Sequence, residues 1–381
     1  MPMNTCRLCR HAHLRDVLTI SHVPKNIQRL FRETELDQDH PIDLTVRRCD
    51  RCGFVQFPQS LDEAYYDDYL MTMTHSRQMQ DYQQRQAEDF VRRFNLIGKQ
   101  VKEVGCGDGS YLDHLRSAGA VPSGIEPSRR FREIALERGY SVESGYVSAE
   151  RLLEGGPYDG FVTRQVLEHV SEIHEFLSGI HLNLKDGAFG LVEVPSLEKA
   201  ISDGRYYDFF PDHVNYFSLK TLSLALQMNG FEVMEMCHDM FGEYNVAIVR
   251  KLVYPQLDGI QRTVDTLGDE LKKFIDHYHA IGKKVAIWGA GGKGLSVMAA
   301  AGIRQIDLLV DGDPHKQGLF TPVSHCKVQS PSMLIGGDMS AVIITAMAYR
   351  MEIERTLIEE YRFRGVVAVL GHHLEVIETR E

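Results

Sequence analysis

Residues 103–109 read Glu-Val-Gly-Cys-Gly-Asp-Gly, where Lys102 to Val104 reads as the end of a short strand and a stretch of helical spacing follows from Tyr111 to Ala118. A strand that runs through three closely spaced glycines into a helix leaves few folds open. It is the first βα unit of a doubly wound sheet, and its turn is shaped for a nucleotide-like ligand. Glycine lets the backbone turn tightly and approach a ligand without a Cβ in the way. Alone, the pattern also fits NAD.

The flanking segments narrow that choice. Glu103 precedes the first glycine and can meet a cationic part of a ligand. Val121-Pro-Ser-Gly-Ile125 reads as the second strand and ends in Glu126, a carboxylate placed to accept from two ribose hydroxyls. Tyr158 to Thr163 reads as a later strand leading to Gln165-Val-Leu-Glu-His-Val170, and Ala188 to Val194 as the fifth, ending at Pro195-Ser196. An amphipathic helix from Gln78 to Asn95 leads into the whole. In this order the motifs, over about residues 100 to 230, resemble class I methyltransferases. The resemblance implies S-adenosylmethionine as the cofactor, held by Glu103, Gly105, Gly107, Gly109, Glu126, Gln165 and Leu167, and argues against NAD at this turn. His169 either holds the fold around the cofactor or acts at the reacting carbon.

The acceptor should face the carboxyl ends of these strands. There, Tyr206 to Ser218 brings aromatic residues, Asp212 and His213 into one loop before a helix from Leu219 to Asn229. His213 oriented by Asp212 is a candidate general base. The alternative is a packing loop with Ser218 as the helix cap. The stretch between Ser60 and Asp81, rich in Tyr and Met, is either an interdomain packing surface or a substrate lid.

Four of the seven cysteines form two Cys-x-x-Cys pairs, Cys6/Cys9 and Cys49/Cys52. Two such turns complete a four-thiolate tetrahedral site, and a closed shell of thiolates leaves no place for substrate, so the expected role is structural zinc. Ordinary reduced thiols or a redox pair are the alternatives. Ile42 to Val46 between the pairs reads as a strand. At the other end, a helix from Gln256 to Ile281 precedes the strand Lys284 to Trp288, the turn Gly289-Ala-Gly-Gly-Lys-Gly294 and a second strand ending at Asp311, which implies another doubly wound unit. Its turn binds a dinucleotide, docks a phosphate-bearing part of the acceptor, or serves as scaffold.

At 381 residues the chain suggests two or three domains. We expect an α/β protein with a small N-terminal zinc-binding domain (1–75), a central Rossmann-like class I methyltransferase domain (76–250) and a C-terminal Rossmann-like α/β domain (251–381) that binds substrate. A net charge of -11 disfavours a nucleic-acid surface. No apolar stretch nears the ~20 residues that span a bilayer, and the N-terminus lacks signal-peptide regions, so a cytoplasmic protein without a membrane partner is expected.

The full order of motifs resembles the zinc-containing sugar C-methyltransferases of deoxysugar and antibiotic pathways: paired Cys-x-x-Cys, Gly53-Phe-Val-Gln56, the methyltransferase motifs, Asp212-His213-x-x-Tyr216-Phe-Ser218, Gly289-Ala-x-x-Lys293-Gly294, and Val310-Asp-x-Asp-Pro-x-Lys316-Gln-Gly318. That resemblance implies methylation of a carbon beside a ketone on a nucleotide-linked keto-sugar through an enolate, with the C-terminal domain helping to bind the nucleotide-sugar. It also implies a catalytic hydroxyl at Tyr69. The family loop Tyr-x-Glu-His appears here as Phe210, Asp212 and His213, and Ser196 stands where members carry a histidine. O- or N-methylation of another small metabolite, or binding without turnover, are the alternatives, and the oligomeric state is open.

Overall fold

The computed structural model describes residues 5–58, apart from 26, 28 and 29, and residues 76–377. Tyr69 and its neighbours Tyr65, Tyr66, Met71 and Met73 lie outside the described residues. The chain divides into two compact units, Met1–Val253 and Tyr254–Glu381. None of the described helices is long and apolar enough to cross a membrane.

The first unit begins with β1 (Leu14–Pro24), β2 (Pro41–Cys49) and β3 (Val55–Gln56), followed by α1 (Arg77–Arg93). Then come β4 (Gln100–Val104), α2 (Ser110–Ser117), β5 (Val121–Glu126), α3 (Arg129–Glu137), β6 (Val142–Ser144) and β7 (Tyr158–Arg164). α4 (Ile173–Leu182), β8 (Leu184–Pro195), α5 (Leu197–Ser202), β9 (Asn215–Tyr216), α6 (Leu219–Met228), β10 (Phe231–Asp239) and β11 (Tyr244–Lys251) complete it.

Seven strands form the main sheet in the order β6-β5-β4-β7-β8-β11-β10. β4 to β8 run parallel to one another, and β11 runs antiparallel to both of its neighbours, β8 and β10. Parallel strands must be covered on both faces, and the apolar residues divide accordingly. On one face Phe90 and Val91 of α1 and Leu112 and Leu115 of α2 pack with Val101, Val162 and Leu191. On the other, Phe176, Leu177 and Ile180 of α4 and Leu222 and Leu226 of α6 pack with Val104, Phe161 and Val192. Hydroxyl caps start the helices: Ser76, Ser128, Ser196 and Ser218 each accept the amide three residues on. Strand order reverses between β4 and β7, so a crevice opens at their carboxyl ends, where residues 105–109 and 165–169 lie.

β1, β2 and β3 form a second sheet, and its fourth member is β9, from far along the chain. The pairs Val55↔Tyr216 and Gln56↔Asn215 fasten the cysteine-bearing sheet to the loop after Asp212 and His213. Cys6, Leu8, Cys49 and Phe54 pack into the same apolar cluster as α4 and α6.

The second unit contains α7 (Asp258–Ala280), β12 (Lys284–Trp288), α8 (Gly292–Ala300), β13 (Leu308–Val310), β14 (Val328–Gln329), β15 (Met339–Ile344), α9 (Arg350–Arg355), β16 (Val366–Leu370) and β17 (Leu374–Ile377). Its sheet order is β14-β13-β12-β15-β16-β17, parallel except for β17. The 289–294 turn lies at the reversal between β12 and β15. A Cβ at Gly294 would come within 2.4 Å of Thr345 Oγ1. The Asp311 carboxylate already accepts from the Ala290 amide at 2.7 Å, the Asp313 amide at 2.9 Å and Lys316 Nζ at 3.0 Å.

A Cβ at Gly190, in the centre of β8, would stand 1.9 Å from the fully buried ring of Phe161. Gly190→Ala is therefore expected to destabilise the first unit by about 1–3 kcal/mol, the usual cost of overpacking. Gly312→Ala, with nothing within 4 Å, should leave denaturant midpoints nearly unchanged.

Candidate active site

The turn after β4 is held in left-handed backbone, with φ of 76° at Gly105, 52° at Gly107 and 80° at Gly109. At Gly105 a side chain is barred twice, by that φ and by Val166, whose Cγ2 would lie 2.4 Å from a Cβ. At Gly107 nothing stands within 4 Å, and the open side of the turn is there. Glu126, at the end of β5, accepts from the Gly107 amide and the Ser128 amide, each at 2.9 Å. Each of its oxygens keeps a lone pair for a further donor. Burial raises its carboxyl above the ordinary value, against those two hydrogen bonds.

Glu103 is buried, and its Oε2 has no hydrogen-bond partner. Burial pushes its carboxyl well up, while the nearby Arg164 pulls it down. An orphaned buried carboxylate oxygen is costly unless a donor or cation meets it, which suits a ligand carrying positive charge. Gln165 follows β7 with φ 54°, uncommon for a residue with a side chain, and its amide donates to the Glu193 carbonyl at 2.8 Å. Leu167 is fully buried in the core, and its carbonyl accepts from Asn215 Nδ2 at 2.9 Å.

Beneath the turn lies a polar network that sequence reasoning missed. Glu193 of β8 is fully buried and accepts from Tyr82 Oη at 2.7 Å, Gln86 Nε2 at 2.8 Å, Arg164 Nη2 at 2.8 Å and Gln165 Nε2 at 3.3 Å. Arg164 also lies over the Tyr111 ring, 4.4 Å from its centroid, and Tyr111 Oη donates to Gln86 Oε1 at 3.1 Å. The network joins α1, α2, β7 and β8 below the glycine turn. Its visible signal is a Glu within the apolar run Leu191-Val-Glu-Val194 and an Arg closing Phe161-Val-Thr-Arg164, but only strand register makes them partners.

Across the crevice, the structure brings His169 and His213 together, with ring centroids 4.8 Å apart. His169 Nδ1 lies 2.9 Å from the Asp212 carbonyl oxygen, so that nitrogen carries the proton and donates, leaving Nε2 basic. The Asp212 carboxylate stands 3.8 Å from the same Nδ1. It thus backs His169, where the sequence reading had it orient His213. The His213 amide closes a tight turn onto the Phe210 carbonyl at 3.1 Å, and its ring lies 4.1 Å from that of Phe210. Burial, and then His169, hold the His213 imidazole well below the ordinary histidine value, and burial lowers His169 too, against Asp212. Both rings are neutral at pH 7. The loop is further fixed by Tyr216, whose hydroxyl accepts from the Phe210 amide and donates to the Phe210 carbonyl. Ser196 serves as the cap of α5.

The four N-terminal cysteines converge. Cys6 and Cys52 sulfurs lie 3.6 Å apart, as do those of Cys9 and Cys49, and all four fall within 4.8 Å of one another. A tetrahedral ion with bonds of ~2.3 Å separates its sulfurs by about 3.8 Å, so the donor set fits a four-thiolate metal site. The Cys52 thiol and the Cys9 and Leu8 amides stabilise the Cys6 thiolate, drawing its pKa down to about 5. Gly53, with φ 77°, turns the second knuckle.

Comparison with known proteins agrees with this architecture. Residues 79–236 match the family model of a methyltransferase domain, and residues 252–369 match that of a C-methyltransferase C-terminal domain. C-methyltransferase NovU of Streptomyces niveus is 25% identical over 384 residues, covering 92% of this chain and 91% of that protein. A ubiquinone biosynthesis O-methyltransferase of Pseudomonas syringae pv. tomato is 35% identical over 101 residues, covering 25% of this chain and 44% of that protein. Among solved structures, magnesium protoporphyrin IX methyltransferase from Synechocystis PCC 6803 is similar with a TM-score of 0.38 at 19% identity, covering 49% of this chain and 90% of that one. The chain is an S-adenosylmethionine-dependent methyltransferase and belongs to the C-methyltransferase family.

Proposed function

We propose that the enzyme methylates a carbon beside a carbonyl group on a nucleotide-linked keto-sugar, after a base removes the acidic proton to form an enolate. The observation that carries this reading is the pair of neutral imidazoles, His169 and His213, at the carboxyl edge of the methyltransferase sheet. An uncharged imidazole can take a proton at neutral pH without first losing one. His213 is the base in this reading. His169, with its Nδ1 proton fixed by Asp212, presents Nε2 to stabilise or relay the proton. Tyr69 is retained as a further candidate hydroxyl.

S-adenosylmethionine, when bound, supplies an electrophilic methyl group on a sulfonium. Gly105, Gly107 and Gly109 would accommodate it, Glu126 would accept from its ribose hydroxyls, and Glu103 would face its positive charge, with Gln165 and the Leu167 backbone bordering the site. Four thiolates, Cys6, Cys9, Cys49 and Cys52, would hold a structural Zn2+. The second unit is assigned to the nucleotide part of the acceptor. The likeness of the central segment to an O-methyltransferase supports a second reading, transfer to a hydroxyl, for which the same imidazoles suffice.

Calorimetry of S-adenosylmethionine binding should show Glu126→Ala losing about 1.5–3 kcal/mol, a roughly 10- to 150-fold weaker Kd, as expected for hydrogen bonds to a charged group. Gly105→Ala should bind at least as poorly.

Incubation of the enzyme with a dTDP-linked keto-sugar in deuterated water should place deuterium at the acceptor carbon, and His213→Ala should abolish it. Absence of both exchange and methylated product with nucleotide-linked keto-sugars would refute carbon methylation. The rate of exchange should stay level as pH falls to 6.5 and decline only below it, because protonation of His213 removes the base and its value lies well below 6.5. An acid limb above pH 6.5 would contradict the base assignment.

Elemental analysis should find one zinc per chain, and Cys49→Ser should lose it together with stability in urea.

A further inference from the structure

Between the cysteines of the first pair stands Arg7, among the most completely buried side chains of the unit, with 1% exposure. A guanidinium in such a place is expensive, and an apolar residue of similar volume would fill it at lower cost. We infer that Arg7 is a positioning residue: it ties the four-cysteine cluster to the loop that carries His213 and holds that imidazole in place. The inference rests on the reading of His213 as the base.

The contacts form a continuous path. Arg7 Nη1 donates to the Phe57 carbonyl at 2.5 Å and to the Val214 carbonyl at 3.0 Å. Val214 follows His213 directly, and its carbonyl also accepts from the Phe57 amide at 2.9 Å. The Arg7 amide donates to Gln56 Oε1 at 2.9 Å, so backbone and side chain of one knuckle residue hold both sides of β3. Asn215, next along the loop, donates through Nδ2 to the carbonyls of Leu167 and Val170 at 2.9 and 2.6 Å, bracketing His169. From the other side, His174 Nε2 donates to the Leu8 carbonyl at 2.8 Å. Each imidazole therefore sits on a backbone segment fastened at its neighbours, and the fastening of His213 starts in the cysteine turn. A guanidinium keeps its charge at neutral pH, so its hydrogen bonds to the two carbonyls are charge-assisted. Both bonds leave the single Nη1, held in place by a rigid planar guanidinium that the flexible stem of lysine does not reproduce.

The test follows the His213 imidazole directly. Full-length protein with 13C-labelled histidine is titrated by NMR, with His213→Gln identifying the resonance, for the wild type, Arg7→Lys and Arg7→Met. Zinc content and S-adenosylmethionine affinity are measured on each. In the wild type His213 should titrate well below 6.5. In Arg7→Lys its value should rise by about one pH unit as the loop loosens and water reaches the ring, with cofactor Kd within about twofold of wild type. With a keto-sugar that is turned over, kcat should fall about tenfold or more while KM changes little, since sub-ångström misplacement of a catalytic group is costly. Arg7→Met should show the same changes more strongly. Should Arg7→Met fail to fold, Arg7→Lys decides. A folded, zinc-containing Arg7→Lys protein with His213 unchanged overturns the inference. A moved titration without methylation of any keto-sugar upholds Arg7 while removing the acceptor assignment.

Discussion

Parallel strands cannot be joined by tight turns, so every strand of the main sheet delivers its carboxyl end to the same edge, and the reversal of order between β4 and β7 parts that edge into a crevice. The rest of the first unit depends on this constraint. The glycine turn leaves β4, Glu126 closes β5, Gln165 to His169 follow β7 and Ser196 follows β8, so residues scattered over about a hundred positions meet in one place. Helices on both faces seal the sheet and leave the edge as its open region.

The charges around that edge are balanced with care. Glu193 gathers four donors and pairs with Arg164 in a fully buried setting, where removing one partner typically costs about 3–5 kcal/mol. Glu103, a short way off, keeps an oxygen without a partner. A buried carboxylate oxygen without a partner, close to a network gathered on Glu193, suits a site completed by a cationic ligand. Opposite it, two imidazoles are kept neutral by burial, His213 also by the neighbouring His169, which suits proton removal.

The cysteine-bearing segment is more than an appendage. Its sheet is closed by β9, taken from the loop behind His213, and the knuckle packs into the core shared with α4 and α6. A metal site there would stiffen a part of the chain on which the loop carrying His213 leans.

Much was legible in sequence because it is local. The glycine turn, the carboxylate ending β5, the cysteine pairs and the Ser218 cap each declare themselves within a few residues, where backbone sterics and ligand spacing leave little choice. The second α/β unit was legible for the same reason, from its alternation of apolar strands and helices. Three features were not. Arg164 and Glu193 become partners only through the register of β7 against β8, Asp212 turns to His169 across 43 residues, and Arg7 reaches Val214 across 207. Sequence by itself determined which ligand chemistry the chain can hold, because that rests on short-range geometry. Tertiary structure alone decided which imidazole each polar group supports, because a buried polar group gains by finding its partner wherever the fold places it.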